Sequence, residues 1–462
     1  MQFDIFGRGL KLRLAITAAC EMAFILFGYD QGVFSGIVGN PDFVEIVHDP
    51  GDSLLGIIVS IYNLGCFSGC VLSFCFAEYF GRRRSMWIAM VWIIVGAVLQ
   101  TSAYSVPHLM VGRFITGIGT GIETSTVPMY QSELCEASKR GRLVSSEALF
   151  VGVGIVISYW FDYGMSFVGG PVSWRLPIAC QMLFAFVVIV LVFGLPESPR
   201  YLAKHGRNDD ALKVLCDVYD EEPNDPKVSR EYSDILQTVA AETERGQYRW
   251  SQILKQDEVQ TGRRVLLAYG MQFMNQVGGI NLVVYYVPTV LEDNVGLTRN
   301  LSLLIGGVIQ CMFVIGSLVP SFFLDRIGRR RPMMIGSFVL GFSMMMVAIL
   351  LSFRGTLQEK PTSSAAVAFF FTVGLWIQNW QYKKLITTRL QWKAYLIFMC
   401  TNFAFVPLVY FCYPETANLT LEEIDFLFLK GTSPISESKR RSSVATMAKV
   451  DGRSIEEHEE KA

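Results

Sequence analysis

LAITAACEMAFILFGYDQGVFSGIV, residues 14–38, is a largely apolar run of 25 residues with an acid, Asp30, well inside it. A helix of that length crosses a hydrocarbon core of roughly 30 Å. A carboxylate at such depth costs about 2.5–3.5 kcal/mol on insertion scales unless it faces a wet cavity or a partner. Gly32 and Gly36 follow it and allow a second helix to approach. The stretch is read either as a proton or substrate site on a transport path, or as an acid near a span end that pairs for assembly.

Outward from that run the same pattern recurs. Apolar segments lie at 14–38, 54–76, 86–104, 107–129, 143–163, 176–195, 264–290, 301–324, 332–353 and 393–413. The run 364–378 is too short for a full crossing. The 462-residue chain is 51% hydrophobic with net charge −1, which leaves no basic face for nucleic acid. Its ten cysteines sit mostly in apolar runs without metal-ligand spacing and read as packing residues. His48, His108, His205 and His458 are scattered, and no phosphate loop or catalytic constellation appears, so an enzyme is not expected and no cofactor is implied.

Basic clusters fix the expected orientation. Arg82–Arg84 follow the second run, Arg329–Arg331 the eighth, and Lys439–Arg441 lie in the tail. With positive charge kept inside, both termini are cytoplasmic. The polar segment between the sixth and seventh runs carries ALKVL and ILQTV at helical spacing, which predicts short amphipathic helices on the same side.

The chain also repeats. EYFGRRR (78–84) returns as DRIGRRR (325–331), and PES (196–198) as PET (414–416). Two similar six-span halves make a transporter architecture with its site between them at mid-membrane. The halves are unequal: Glu78 to Pro196 spans 118 positions and Asp325 to Pro414 only 89, a shortfall of about one helix and its loop. The polar stretch 376–392 stands where the missing piece belongs. The predicted fold is therefore an all-α multi-pass membrane protein. It has an N-terminal six-helix bundle (1–195), a cytoplasmic helical linker (196–263), an incomplete C-terminal bundle (264–430) and a disordered tail (431–462).

GYDQGVFSG, FGRRR, GRFITGIGTG (112–121), PMYQSELCEASKRG (128–141), PESPRYL (196–202), NQVGGINLVVYY (275–286), DRIGRRR and PETANLTLEEID (414–425) occur in that order. In this order the chain resembles a fungal-type sugar porter of the major facilitator superfamily, over about 10–430 apart from 376–392. The resemblance implies alternating access by two rocking bundles around a sugar site. It implies sugar contacts from Asn275, Gln276, Asn281, Tyr285 and Phe27. It implies proton coupling through Asp30 paired with Arg113, as in the symporting members. It further implies a cytoplasmic gate of Arg82, Arg83, Glu133, Arg140, Glu197, Arg200, Asp325, Arg329, Arg330 and Glu415, whose pairs close the inner end.

Partners on this reading are a small sugar, a proton and the lipid bilayer, with the protein a plasma-membrane monomer. Departures are Asn275 where the family carries Gln, Glu147 beside Ala148 where the family's sugar-binding Gln stands, and the absent tenth-span segment, for which Trp376 is no clear substitute. Glu147 either takes sugar hydroxyls, or holds a second proton, or pairs with Arg142. The alternatives to a symporter are a facilitative sugar or polyol uniporter, a non-transporting sensor and an inactive truncated product.

Overall fold

The structure, a computed structural model, describes residues 6–46, 52–135, 137–244, 260–277, 287–289, 291–292, 296–327, 330–353, 365–369 and 393–415. Its principal elements are α1 (Leu10–Ile37), α2 (Pro41–Ile46), α3 (Asp52–Phe80), α4 (Arg82–Thr101), α5 (Val106–Leu134), α6 (Ala137–Met165) and α7 (Val172–Phe193). These are followed by α8 (Pro199–Lys204), α9 (Asn208–Tyr219), α10 (Pro226–Glu244), α11 (Thr261–Val277), α12 (Arg299–Ile327), α13 (Arg330–Ser352) and α14 (Lys393–Cys412).

The chain forms two compact units. Among the described residues the first holds 6–244 and 287–317, and the second holds 260–277, 318–353, 365–369 and 393–415. In the first unit α1 packs along α6 and α7, and α5 packs along α3 and α4. Helix backbones meet directly where α1 crosses α6. A methyl group at Gly28 would overlap the Val151 carbonyl, and one at Gly154 the Ile25 carbonyl. In lipid, where apolar burial between helices gains little, such close contact is what dispersion needs to hold a bundle together.

Among the described residues, seven helical segments are long and apolar enough to cross a membrane: Leu54–Phe80, Arg82–Thr101, Ser146–Met165, Val172–Phe193, Arg299–Leu318, Arg330–Ser352 and Tyr395–Cys412. α1 and α5, 28 and 29 residues long, fall outside that set although both coincide with expected spans. Both are rich in buried polar groups. α1 buries Glu21, Asp30, Gln31 and Ser35, and α5 buries Arg113, Thr116, Thr120, Glu123, Thr126 and Gln131. These helices turn polar side chains into the bundle and spend their apolarity there. The expected span 264–290 is described only as far as Val277, within α11.

The amphipathic segment folds as α8, α9 and α10. Buried Ala211, Val214, Leu215 and Val218 of α9 form its apolar stripe. The chain start is tied to it, with the Gly9 N–H on the Asp217 carbonyl at 2.7 Å and Arg8 on the Asp217 carboxylate at 2.8 Å. In the second unit α13 packs on α14, with Phe338 edge-on to Phe403. The Tyr413 hydroxyl donates to the Leu267 carbonyl of α11 at 2.8 Å. The stretch 376–392, where the repeat falls short by a helix, lies outside the described residues.

Candidate functional site

Asp30 on α1 is 1% exposed and Arg113 on α5 is fully buried. The guanidinium lies 3.7 Å from the ring centroid of Phe34 and 4.9 Å from that of Tyr62. Its Nη2 donates to the Val59 carbonyl at 3.3 Å, while Nε and Nη1 have no hydrogen-bond partner. Both oxygens of Asp30 also lack one. Arg113 nevertheless supplies the cationic field that acts on Asp30, and the Tyr62 hydroxyl is the polar group beside it. The two charges are therefore coupled through space, without the direct contact a salt bridge would make. Aromatic faces hold the cation in place by their quadrupoles.

Other acids share this interior. Glu123 on α5 is 1% exposed, feels the Asp30 charge and has no hydrogen bond on either oxygen. Glu21 on α1 and Glu147 on α6 are each 5% exposed, and Ser146 Oγ lies 2.5 Å from Glu21 Oε1. Phe27, on the same helix, is partly buried against the apolar core.

The repeated basic motif builds a clasp at one end of the first unit. Arg82 donates from Nε to Glu133 Oε2 at 3.1 Å and from Nη2 to Glu133 Oε1 at 3.0 Å, a bidentate pair. Glu197 was expected to meet the Arg82 and Arg83 side chains. Instead its Oε1 accepts the backbone N–H groups of Arg82 at 3.0 Å, Arg83 at 3.2 Å and Ser198 at 3.0 Å. α4 opens at Gly81, which has φ +81° and no side chain to cap the orphan N–H groups, so a carboxylate from a distant loop does it. Burial pushes the Glu197 carboxyl up from its ordinary value, against the pull of those N–H donors and of Arg82. Arg83 donates to the Phe193 carbonyl at 2.6 Å, at the end of α7, and its guanidinium lies over Trp87. Arg200, in the first turn of α8, is partly buried.

The second unit repeats the device. Glu415 Oε2 accepts the backbone N–H of Arg330, at the start of α13, at 3.1 Å. The Arg330 guanidinium donates to the Tyr410 carbonyl near the end of α14 and lies over the Tyr410 ring. By the sequence repeat Arg330 corresponds to Arg83 and Glu415 to Glu197. In both units the acid caps one helix start, while the arginine caps the end of the helix preceding that acid. The motif is thus an exchange of helix-end partners within one bundle.

Asn275 and Gln276 fall on the last turn of α11, Asp325 on α12 and Arg140 on α6, with side chains outside the described residues. Asn281, Tyr285 and Arg329 lie outside them altogether. One contact was not anticipated. Arg299, which opens α12, donates to the Gly36 carbonyl at 3.0 Å and to the Gly39 carbonyl, both at the end of α1, and Asp162 of α6 feels its charge. Carbonyls at a helix end carry no residue signature, so no sequence pattern could have pointed to them.

Long helices with buried polar groups and matched clasps in two units define a multi-pass helical membrane protein. Residues 14–382 match the family described as Sugar (and other) transporter, and the chain belongs to that family. It is 36% identical over 454 residues to the MFS-type transporter oryC of Aspergillus oryzae, covering 89% of this chain and 84% of that one. It is 31% identical over 481 residues to the sugar transporter STL1 of Saccharomyces cerevisiae, covering 92% and 84%. In fold it is similar to the MFS proton:xylose symporter XylE bound to 6-bromo-6-deoxy-D-glucose, with TM-score 0.72 and 22% identity, over 90% of this chain and 99% of that one. The protein is a membrane transporter of major facilitator architecture and not an enzyme.

Proposed function

We propose that this transporter carries a monosaccharide, a hexose or a close relative, by alternating access, and that proton binding at Asp30 drives the cycle. One observation carries the reading: a deeply buried carboxylate coupled to Arg113 without a direct hydrogen bond. In low dielectric a charge held in that way is costly, and a proton relieves the cost at the moment the bundles rearrange. STL1 is a sugar transporter and XylE a proton:xylose symporter, which supports sugar as cargo and the proton as co-substrate.

In this reading Asn275, Gln276, Asn281, Tyr285 and Phe27 contact the sugar, because amides offer hydroxyls both donor and acceptor. Arg82, Arg83, Glu133, Arg140, Glu197, Arg200, Asp325, Arg329, Arg330 and Glu415 stiffen the bundle ends that part and close at the inner gate. The protein works as a monomer in the plasma membrane with both termini in the cytoplasm, in keeping with its basic loops.

The test is uptake of labelled glucose, xylose and glycerol into transporter-deficient cells, with and without a proton uncoupler. Accumulation of one sugar that collapses with the uncoupler is expected. Undiminished accumulation in its presence would overturn the coupling, and uptake of none of the three would overturn the cargo.

A further inference from the structure

The clasp, the Asp30 pair and the sugar contacts leave two buried acids without a task. Glu21 and Glu147 are each 95% out of solvent, since each is 5% exposed. Glu21 Oε2 and Glu147 Oε1 have no hydrogen-bond partner. The two carboxyls are close enough for Glu147 to feel the charge of Glu21. On α1 itself the Cys20 thiol feels the charge of both acids, and Cys135 at the end of α5 lies beside Cys20. Among the described residues no guanidinium or ammonium group acts on either acid. The side chain of Arg142 lies outside the described residues.

Ser146 Oγ donates to Glu21 Oε1 at 2.5 Å and also lies 2.7 Å from the Leu143 carbonyl one turn back. A serine hydroxyl has one hydrogen, so among the described residues the two neighbouring buried carboxyls have little to hold two negative charges. Two carboxyls that share a buried place do not both stay ionised, and one of them keeps a proton.

We propose that Glu21 and Glu147 form a second proton-binding site, separate from Asp30, with one proton held by the pair and Ser146 as the hydroxyl that steadies Glu21. Glu21 lies nine positions before Asp30 on α1, about 13 Å along the helix axis at 1.5 Å per residue. The site therefore sits on the α1 side that faces the basic-loop end, where a proton released from Asp30 would next find a buried acceptor. That relay role rests on the proton-coupled reading above, whereas the proton-binding site itself does not. A sodium ion is the competing ligand for two carboxyls, but it needs a shell of several oxygens, and the described groups here supply few.

The experiment is infrared spectroscopy of the purified full-length protein in detergent at neutral pH, in sodium-free and sodium-containing buffer. A protonated-carboxyl band is expected, lost in Glu21→Gln. It should persist in Asp30→Asn, and in Glu147→Gln it should change in position, because the neighbouring carboxyl has gone. Absence of any band sensitive to Glu21→Gln would overturn the proposal. So would a band altered by sodium, or a spectrum restored only by Arg142→Ala, the outcome if Glu147 and Arg142 form an ion pair. Thermal melting of each variant confirms that it is folded, and Glu21→Asp, which keeps the acid, serves where Glu21→Gln is not. Uncoupler-insensitive uptake would sink the symport reading and leave this band in place, so the two failures are distinguishable.

Discussion

The acids of the first unit fall into two groups by what their oxygens touch. Glu133 and Glu197, at the clasp, are engaged: one by a bidentate guanidinium, the other by three backbone N–H groups. Asp30 and Glu123, in the interior, are more deeply buried yet are engaged by no guanidinium and no backbone N–H. A satisfied carboxylate is a fixed part of the scaffold, because removing its partner strands a charge. An unsatisfied one is held ready to change its charge. The first group should therefore govern stability and the second the coupling of transport to protons.

The largest effect should come from the second group. Asp30→Asn is expected to abolish uncoupler-sensitive sugar accumulation, and to lower the melting temperature without preventing folding, because the amide fills the same space but leaves buried Arg113 without its opposing charge. Counterflow exchange measured beside net accumulation checks it. A folded variant that still accumulates sugar would erase the distinction between the two groups.

Within the clasp, the partly buried Arg82–Glu133 pair, with side chains 11% and 10% exposed, should matter most. Removing one partner is expected to cost about 3–5 kcal/mol, and the Arg82→Ala/Glu133→Ala double variant should cost less than the two single losses combined. A thermal-melting double-mutant cycle reads this coupling.

A smaller loss, about 1–3 kcal/mol, is expected for Glu197→Ala, which leaves N–H groups of α4 without an acceptor. Glu415→Ala, whose carboxylate accepts the Arg330 N–H, should lose less than Glu197→Ala if the number of N–H groups capped sets the effect. Equal losses would show that the acid acts through charge alone. At the small end stands Glu78, bonded to Lys204 at 2.5 Å with both side chains largely in solvent. Glu78→Ala should shift stability by no more than about 1 kcal/mol.

Much of this was legible before any coordinates. Apolar runs mark α3, α4, α7, α12, α13 and α14 because lipid-facing helices cannot hide polar groups. The repeated GRRR and Pro-Glu motifs pointed to the clasps in both halves. What the motifs did not convey was the partner. Glu197 looked like a match for arginine side chains and turned out to serve their backbone, since the need it meets, open N–H groups after Gly81, belongs to a helix end and not to a residue type. Asp30 and Arg113 were legible as acid and base, but not as a pair kept apart with the cation between Phe34 and Tyr62.

Sequence alone determined that this protein crosses a membrane many times, that its halves repeat, and that an acid stands within its first span. Those are matters of length, spacing and transfer cost, which each segment carries by itself. Tertiary structure decided which charges are satisfied and which are not, and it alone brought Arg299 to the end of α1 and Ser146 to Glu21. Such contacts depend on where helices cross. Side chains more than 100 positions apart meet there through backbone approach, which no local pattern encodes.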